Sequence, residues 1–251
     1  MIEWREQGIL LSVRRHGEAN AIIEVLTRDH GLHAGVVRGG ASRRQAPLLQ
    51  IGAQLDLTWR ARIEDHIGSF VAEPVRSRAV PIMADRAALA TLQSVAGLLT
   101  SCLPERQPIE ELHDRTLDLL DALARQPDWP QLYAQWELSL LADLGFGLDL
   151  STCAVTGGTQ QLRFVSPKSG RAVSQAGAGD WADRLLPLPL FLLMGGDASA
   201  DDTRDALRMT GHFLRRWLAP TLSRTTVLDA RDQAERAIVA QLVRGAETPD
   251  G

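Results

Sequence analysis

The chain has 251 residues, 45% hydrophobic and 23% charged, with a formal net charge of -4. That content supports a packed core in one large domain or two to three small ones. No window reaches the apolar length of a membrane span, the start Met1-Ile2-Glu3-Trp4-Arg5-Glu6 lacks a secretory pattern, and two cysteines, Cys102 and Cys153, exclude a disulfide framework and a four-thiolate zinc site.

The first 75 residues read as strands. Residues 8–13 form an apolar run with β-branched members, and 21–26 form a second. The cluster Thr27-Arg28-Asp29-His30-Gly31 is turn chemistry, and 31–37 resumes the strand pattern. Residues 55–59 alternate at period two, and 67–71 give a fifth strand. Five short strands joined by glycine-bearing turns predict a small barrel or sandwich. The link over 41–52 is long for a hairpin, as binding loops on a barrel rim often are.

Beyond Pro74 and Pro81 the period becomes helical. Residues 83–99 are rich in Ala and Leu. Ile109, Leu112, Thr116, Leu119 and Leu123 recur at three- and four-residue spacing, behind Pro108 and before Pro127. Tyr133, Trp136, Leu140 and Leu144 repeat the pattern until Gly145 and Gly147 stop it. Residues 151–180 are polar and rich in Gly, Ser and Thr; 185–190 are apolar and extended. A last helical block is predicted over 201–218, with 245–251 as a frayed tail. The fold class is α+β and multidomain: a strand unit over 1–79, helices over 80–150, a loop-rich insertion over 151–180, and helices again over 181–251.

Charge is unevenly placed. Residues 1–80 hold eleven arginines against nine carboxylates, so the remainder carries the acidity. The stretch 31–55 has no acidic residue, yet holds His33, Arg38, Arg43 and Arg44 around Gly35, Gly39 and Gly40. Arginine meets phosphates bidentately, and glycine lets a backbone approach them. Arg14 and Arg15 on the first hairpin, and Arg60 and Arg62 beside Trp59, extend the same track. Trp59 reads first as core, with base stacking as its alternative.

Catalytic patterns are missing. Lys168 lacks the spacing of a phosphate-binding loop, and no HExxH or GxSxG occurs. His30 and His33 are the only histidines near ligand spacing, without a thiol partner close by in sequence. Binding without catalysis is the expectation, with no cofactor and no metal.

The order of these motifs resembles the RecO family of bacterial recombination mediators. The resemblance rests on Leu26-Thr27-Arg28-Asp29-His30-Gly31, on Val37-Arg38-Gly39-Gly40-Ala41-Ser42-Arg43-Arg44, and on Trp136-Glu137-Leu138-Ser139-Leu140-Leu141-Ala142-Asp143-Leu144-Gly145. It continues through Leu148-Asp149-Leu150-Ser151-Thr152-Cys153-Ala154-Val155-Thr156-Gly157, the approach to the zinc module of some members. Zinc-bearing members have two C-x-x-C pairs; here the first reads Cys153-Ala-Val-Thr156, and the second falls near 174–177, without cysteine.

The resemblance implies an oligonucleotide-binding (OB-type) barrel at the N-terminus and a cytoplasmic, nucleoid-associated protein. It implies binding to single- and double-stranded DNA, to the C-terminal tail of the single-stranded DNA-binding protein and to RecR. It also implies strand annealing and help in loading RecA. An acidic tail needs an apolar pocket with a basic rim. Two places offer one: Arg184 with the apolar segment after it, or Phe213 and Trp217 with Arg215 and Arg216. The competing reading is a non-catalytic adaptor whose barrel binds protein rather than DNA.

Overall fold

The computed structural model describes residues 1–63, 66–222 and 226–247. The chain divides into two compact units, Met1–Gln126 and Pro127–Gly251.

The first unit opens with β1 (Ile2–His16), β2 (Asn20–Thr27), β3 (Gly31–Val37), β4 (Gln54–Ala61) and β5 (Ser69–Arg76). They close into a barrel of order β1-β2-β3-β5-β4, antiparallel except for a short parallel contact of β3 with β5. The ladders run from Arg15 through Ala21, Val37, Phe70 and Trp59, and return to β1 at Trp4 rather than at Arg15. That offset is the shear a tilted barrel needs to close. It requires a long first strand, so β1 pairs with β4 along its first half and with β2 along its second, bending at a bulge near Leu11.

Period-two alternation decides what enters the barrel. On β4, Leu55, Leu57, Trp59 and Ala61 are buried while Arg60 stays exposed. They join Leu10, Ile23, Val25, Val37 and Phe70 in the barrel core. The run Gly8–Leu11 is buried continuously, because α2 (Arg86–Cys102) packs on the outer face of β1. Asp85 caps that helix, accepting from the Ala87 and Ala88 amides at 2.7 and 3.1 Å.

A short α1 (Ala79–Ala84) precedes α2, and α3 (Glu110–Leu123) follows it. The segment between α2 and α3 crosses the β2–β3 turn, where the Arg106 amide donates to the Leu32 carbonyl at 2.8 Å. Gly31 is required there twice over. Its φ is +64°, and a Cβ would stand 2.1 Å from the Gln107 carbonyl oxygen. Asp121 of α3 accepts from Arg76 and from Arg78, which is 2% exposed, and so anchors the end of β5.

The second unit begins with α4 (Trp129–Asp143). The glycine-rich stretch after it is more ordered than its composition suggests. It holds β6 (Leu162–Val165) and β7 (Ala172–Ser174), then α5 (Gln175–Ala178). The extended segment beyond supplies β8 (Leu186–Pro187) on the other side of β6, giving the order β7-β6-β8. Next come α6 (Phe191–Met194) and α7 (Ala200–Phe213), the latter opened by a Ser199–Asp202 capping box and running into a wider turn over Leu214–Leu218.

The expectation that the last helix ends at 218 is corrected. A further helix, α8 (Thr226–Glu247), packs on α7. Its inward stripe is Val227, Arg231, Ala234 and Ile238, with an arginine where an amphipathic pattern calls for a hydrophobe. Among the described residues, no helix is long and apolar enough to cross a membrane.

Candidate nucleic-acid interface

Seven arginines of the first unit, Arg14, Arg15, Arg38, Arg43, Arg44, Arg60 and Arg62, lie near one edge of the barrel. Arg15 pairs with Ala21, and Ala21 with Val37, which places the ends of β1 and β3 two strands apart. The loop carrying Arg43 and Arg44 is pinned to the β1–β2 turn: the Gly39 amide donates to Asn20 Oδ1 at 3.0 Å, and the Ala41 amide to the Ala19 carbonyl at 2.9 Å. Arg14 and Arg15 directly precede that turn. Five exposed arginines, Arg14, Arg15, Arg38, Arg43 and Arg44, therefore surround one corner.

Beside that corner, Val37 pairs with Phe70, and Arg60 with Ser69, so the ends of β3 and β4 flank the start of β5. Arg38, Arg60 and Arg62 line a common cleft of ≈ 490 Å³ there, together with Gln45 and Ser69. An adjoining cleft shares the same three arginines and adds His66. Arg60 is ion-paired with Glu3 at 2.9 Å. Arg14, Arg15, Arg38, Arg43, Arg44 and Arg62 have no carboxylate partner among the described residues. Exposed, unneutralised guanidinium groups are suited to an anion that arrives from solvent.

Two residues expected in the interface are elsewhere. Trp59 is 2% exposed, and its indole N–H donates to the Ile67 carbonyl at 3.1 Å. His33 is 4% exposed, edge-on to Trp59 at 4.7 Å and to Trp4 at 5.2 Å. Both alternate inward, so neither meets a ligand on the barrel surface. Burial, with the nearby Arg106 and His30 charges, brings the His33 pKa down to about 4, so its ring is neutral at pH 7. Its neighbour in sequence, His30, stacks on Trp4 at 4.2 Å and meets Glu6 at 2.7 Å. His30 and His33 thus share no ligand, and no metal-binding group of three exists among the described residues.

In the second unit, chain folding brings Cys153, Thr156, Ser174 and Gly177 together, the four positions of the degenerate C-x-x-C pairs. Cys153 Sγ accepts from the Ser174 amide at 3.2 Å, the Ser174 hydroxyl at 3.3 Å and the Val155 and Thr156 amides at 3.4 Å. A Cβ on Gly177 would lie 2.9 Å from that sulfur. Burial pushes the thiol up, but these bonds outweigh it and bring its pKa down to about 6. The donor set of one sulfur, two hydroxyls and a glycine does not fit structural zinc. Hydrogen bonds to the Cys153 sulfur hold this knuckle together. Cys102 is the opposite case, its thiol pushed up to about 12 by burial.

The two places considered for a partner tail also separate. Phe213 is fully buried, and Trp217 lies 4.5 Å from it, against Gly170, where a Cβ would meet the indole at 2.3 Å. Arg215 is bound to Asp232. Trp217 thus packs on the insertion and Arg215 ties to α8, which corrects the expectation of a pocket between them; Arg216 stays exposed. Arg184 is also exposed, its guanidinium 4.8 Å from the Trp181 ring. Trp181 is 62% exposed and was not singled out from the sequence. A lone tryptophan between Asp180 and Ala182 gives no periodic signal of its exposure.

Residues 1–78 match the family described as Recombination protein O N terminal, and residues 83–225 match Recombination protein O C terminal. The chain belongs to the RecO family. It is similar to a DNA repair protein RecO of Ruegeria sp. (strain TM1040), 60% identical over 92% of this chain and 95% of the relative. The RecO protein of Cereibacter sphaeroides (strain ATCC 17029 / ATH 2.4.9) is 58% identical over 92% and 96%. That of Jannaschia sp. (strain CCS1) is 55% identical over 97% and 99%. RecO family members are non-catalytic recombination mediators in DNA repair.

Proposed function

We propose that this protein binds single- and double-stranded DNA through the arginine-lined edge of its barrel, and that it anneals strands coated by the single-stranded DNA-binding protein. The observation that carries the reading is the convergence of Arg38, Arg60 and Arg62 on one cleft, beside Arg14, Arg15, Arg43 and Arg44, which have no carboxylate partner among the described residues. Contacts of this kind go to phosphates, which fixes register without reading sequence. Annealing follows, since cations lower the repulsion between two strands and leave their base edges free to pair. The barrel of residues 1–79 is the DNA-binding part; the helices of 80–150 and 181–251 and the insertion of 151–180 serve partner recruitment in the cytoplasm, with RecR and RecA as the functional companions.

Charge reversal of both Arg43 and Arg44 to Glu is expected to weaken DNA binding about tenfold or more at physiological salt and to slow annealing, with an unchanged circular-dichroism spectrum. Unchanged affinity would remove the loop from the interface and favour the adaptor reading.

The acidic tail of the single-stranded DNA-binding protein is assigned to Trp181 and Arg184. An exposed tryptophan stacked with arginine supplies an apolar anchor and a cation in one place. Titration of a tail peptide against Trp181→Ala and Arg184→Ala is expected to show at least tenfold weaker binding for each. Full retention by both variants would place the tail elsewhere.

A further inference from the structure

The cleft at the arginine-lined edge has a second chemical character. Its lining includes apolar side chains open to solvent, Met1 at 91% and Val71 at 56% exposed, with the half-buried Ala72 next to Val71 in sequence. The same lining includes Arg38 and Arg62, together with Gln45 and Ser69. The topology explains the opening. β3 pairs with β5 only at Val36–Ser69 and Val37–Phe70, so no strand continues beside β5 past Phe70 on that side. The barrel is closed at this seam by two residue pairs, and the cleft lies where the ladder stops.

A cleft lined by both apolar side chains and guanidinium groups fits a ligand that carries both an apolar and an anionic part. A phosphate backbone alone uses only the cations and leaves Val71 and Met1 in water. A nucleotide uses both. The cleft volume of ≈ 490 Å³ lies within the roughly 300–1,000 Å³ of small-ligand sites.

We infer that this cleft receives a nucleobase turned out of the stack of single-stranded DNA, seated on Val71, Ala72 and Met1, with its flanking phosphates on Arg38 and Arg62. This rests on the DNA-binding reading above and sharpens it to the strand type that can enter. A paired base in a duplex is held in its stack and cannot reach the cleft, so a duplex engages the cations alone. Among the described residues that line this cleft, the one aromatic is Phe70, which is 3% exposed, and Trp59 points inward. The base is therefore held by apolar contact and by hydrogen bonds to Gln45 and Ser69, without a stacking partner to set preference among bases.

The test compares two oligonucleotides of equal length by fluorescence anisotropy: oligo(dT), and the same backbone with every base replaced by an abasic tetrahydrofuran. Both present the same phosphates. The full-length protein is expected to bind oligo(dT) about fivefold more tightly. Val71→Asn, at an exposed strand position, is expected to bring that ratio close to one while leaving abasic affinity unchanged. Gln45→Ala is expected to lower the ratio in the same sense. Equal binding of the two oligonucleotides by the unaltered protein would overturn the inference, as would a ratio that neither substitution changes. Failure of the underlying DNA-binding reading gives a different result, in which neither oligonucleotide binds.

Discussion

Arg231→Met is expected to destabilise the second unit by about 3–5 kcal/mol, read as a lowered urea midpoint. Arg231 is 1% exposed and Glu137 fully buried. Arg231 Nε donates to Glu137 Oε1 at 2.8 Å, and its Nη2 to Glu137 Oε2 at 2.9 Å. Nη1 donates to Glu235, Nη2 also to the Leu207 carbonyl, and the Thr210 hydroxyl donates to Glu137. The network therefore ties α4, α7 and α8 together. Gly211 leaves the space for it, since a Cβ there would lie 2.3 Å from the guanidinium. Removing the arginine alone strands a buried carboxylate without its counter-charge, and that stranded charge supplies most of the cost. The double replacement Glu137→Met with Arg231→Met is accordingly expected to recover most of the loss, because two thioethers fill the volume and the carboxylate left behind, Glu235, is 27% exposed and reaches solvent. A single variant within 1 kcal/mol of the unaltered protein would contradict the account.

Acid is expected to weaken the barrel specifically through His33. The ring is buried, its two nitrogens have no hydrogen-bond partner, and its neighbours are Trp4, Trp59 and Phe70. Beside burial, Arg106 and His30 act on it in the same sense, and His30 is hydrogen-bonded to Glu6. The pKa is about 4 in the folded chain against 6.5 for the free side chain. Between those values the unfolded chain binds a proton that the folded chain refuses. Stability owed to this residue is thus intact above pH 6.5 and falls as the pH drops toward 4. The full loss is about 3 kcal/mol once the pH is below both values. His33→Phe keeps a ring in place and removes the titration. Urea midpoints measured at stepped pH are expected to diverge between the two proteins below pH 6.5, with the variant the less acid-sensitive. Parallel curves would show that the imidazole is not the group that titrates.

Much of the fold is legible in the sequence, and the reasons for the rest are specific. β3 is readable to the residue because the Thr27–Gly31 turn fixes its start and the Arg38-Gly39-Gly40 turn its end. The first six residues of β1 are not, since Ile2 to Gln7 mix charged and apolar side chains on a half-exposed strand whose partner, β4, lies some fifty residues on. α8 escapes notice because Arg231 occupies its buried stripe, and the carboxylate that makes this tolerable comes from α4. The arginines of the site are legible as types. Their convergence is not, because it depends on the ring closing through β5 and on the Asn20 contact that pins the loop. Alternation along β4 already assigns Trp59 inward and Arg60 outward, and register carries the same assignment to His33.

The most direct test is the salt dependence of single-stranded DNA binding by the unaltered protein and by the double variant Arg38→Ala, Arg62→Ala. Each phosphate contact on a single strand contributes about 0.7 to the slope of log affinity against log salt. If these two guanidinium groups grip the backbone, the slope of the variant is shallower by about 1.4. Identical slopes for the two proteins would contradict that.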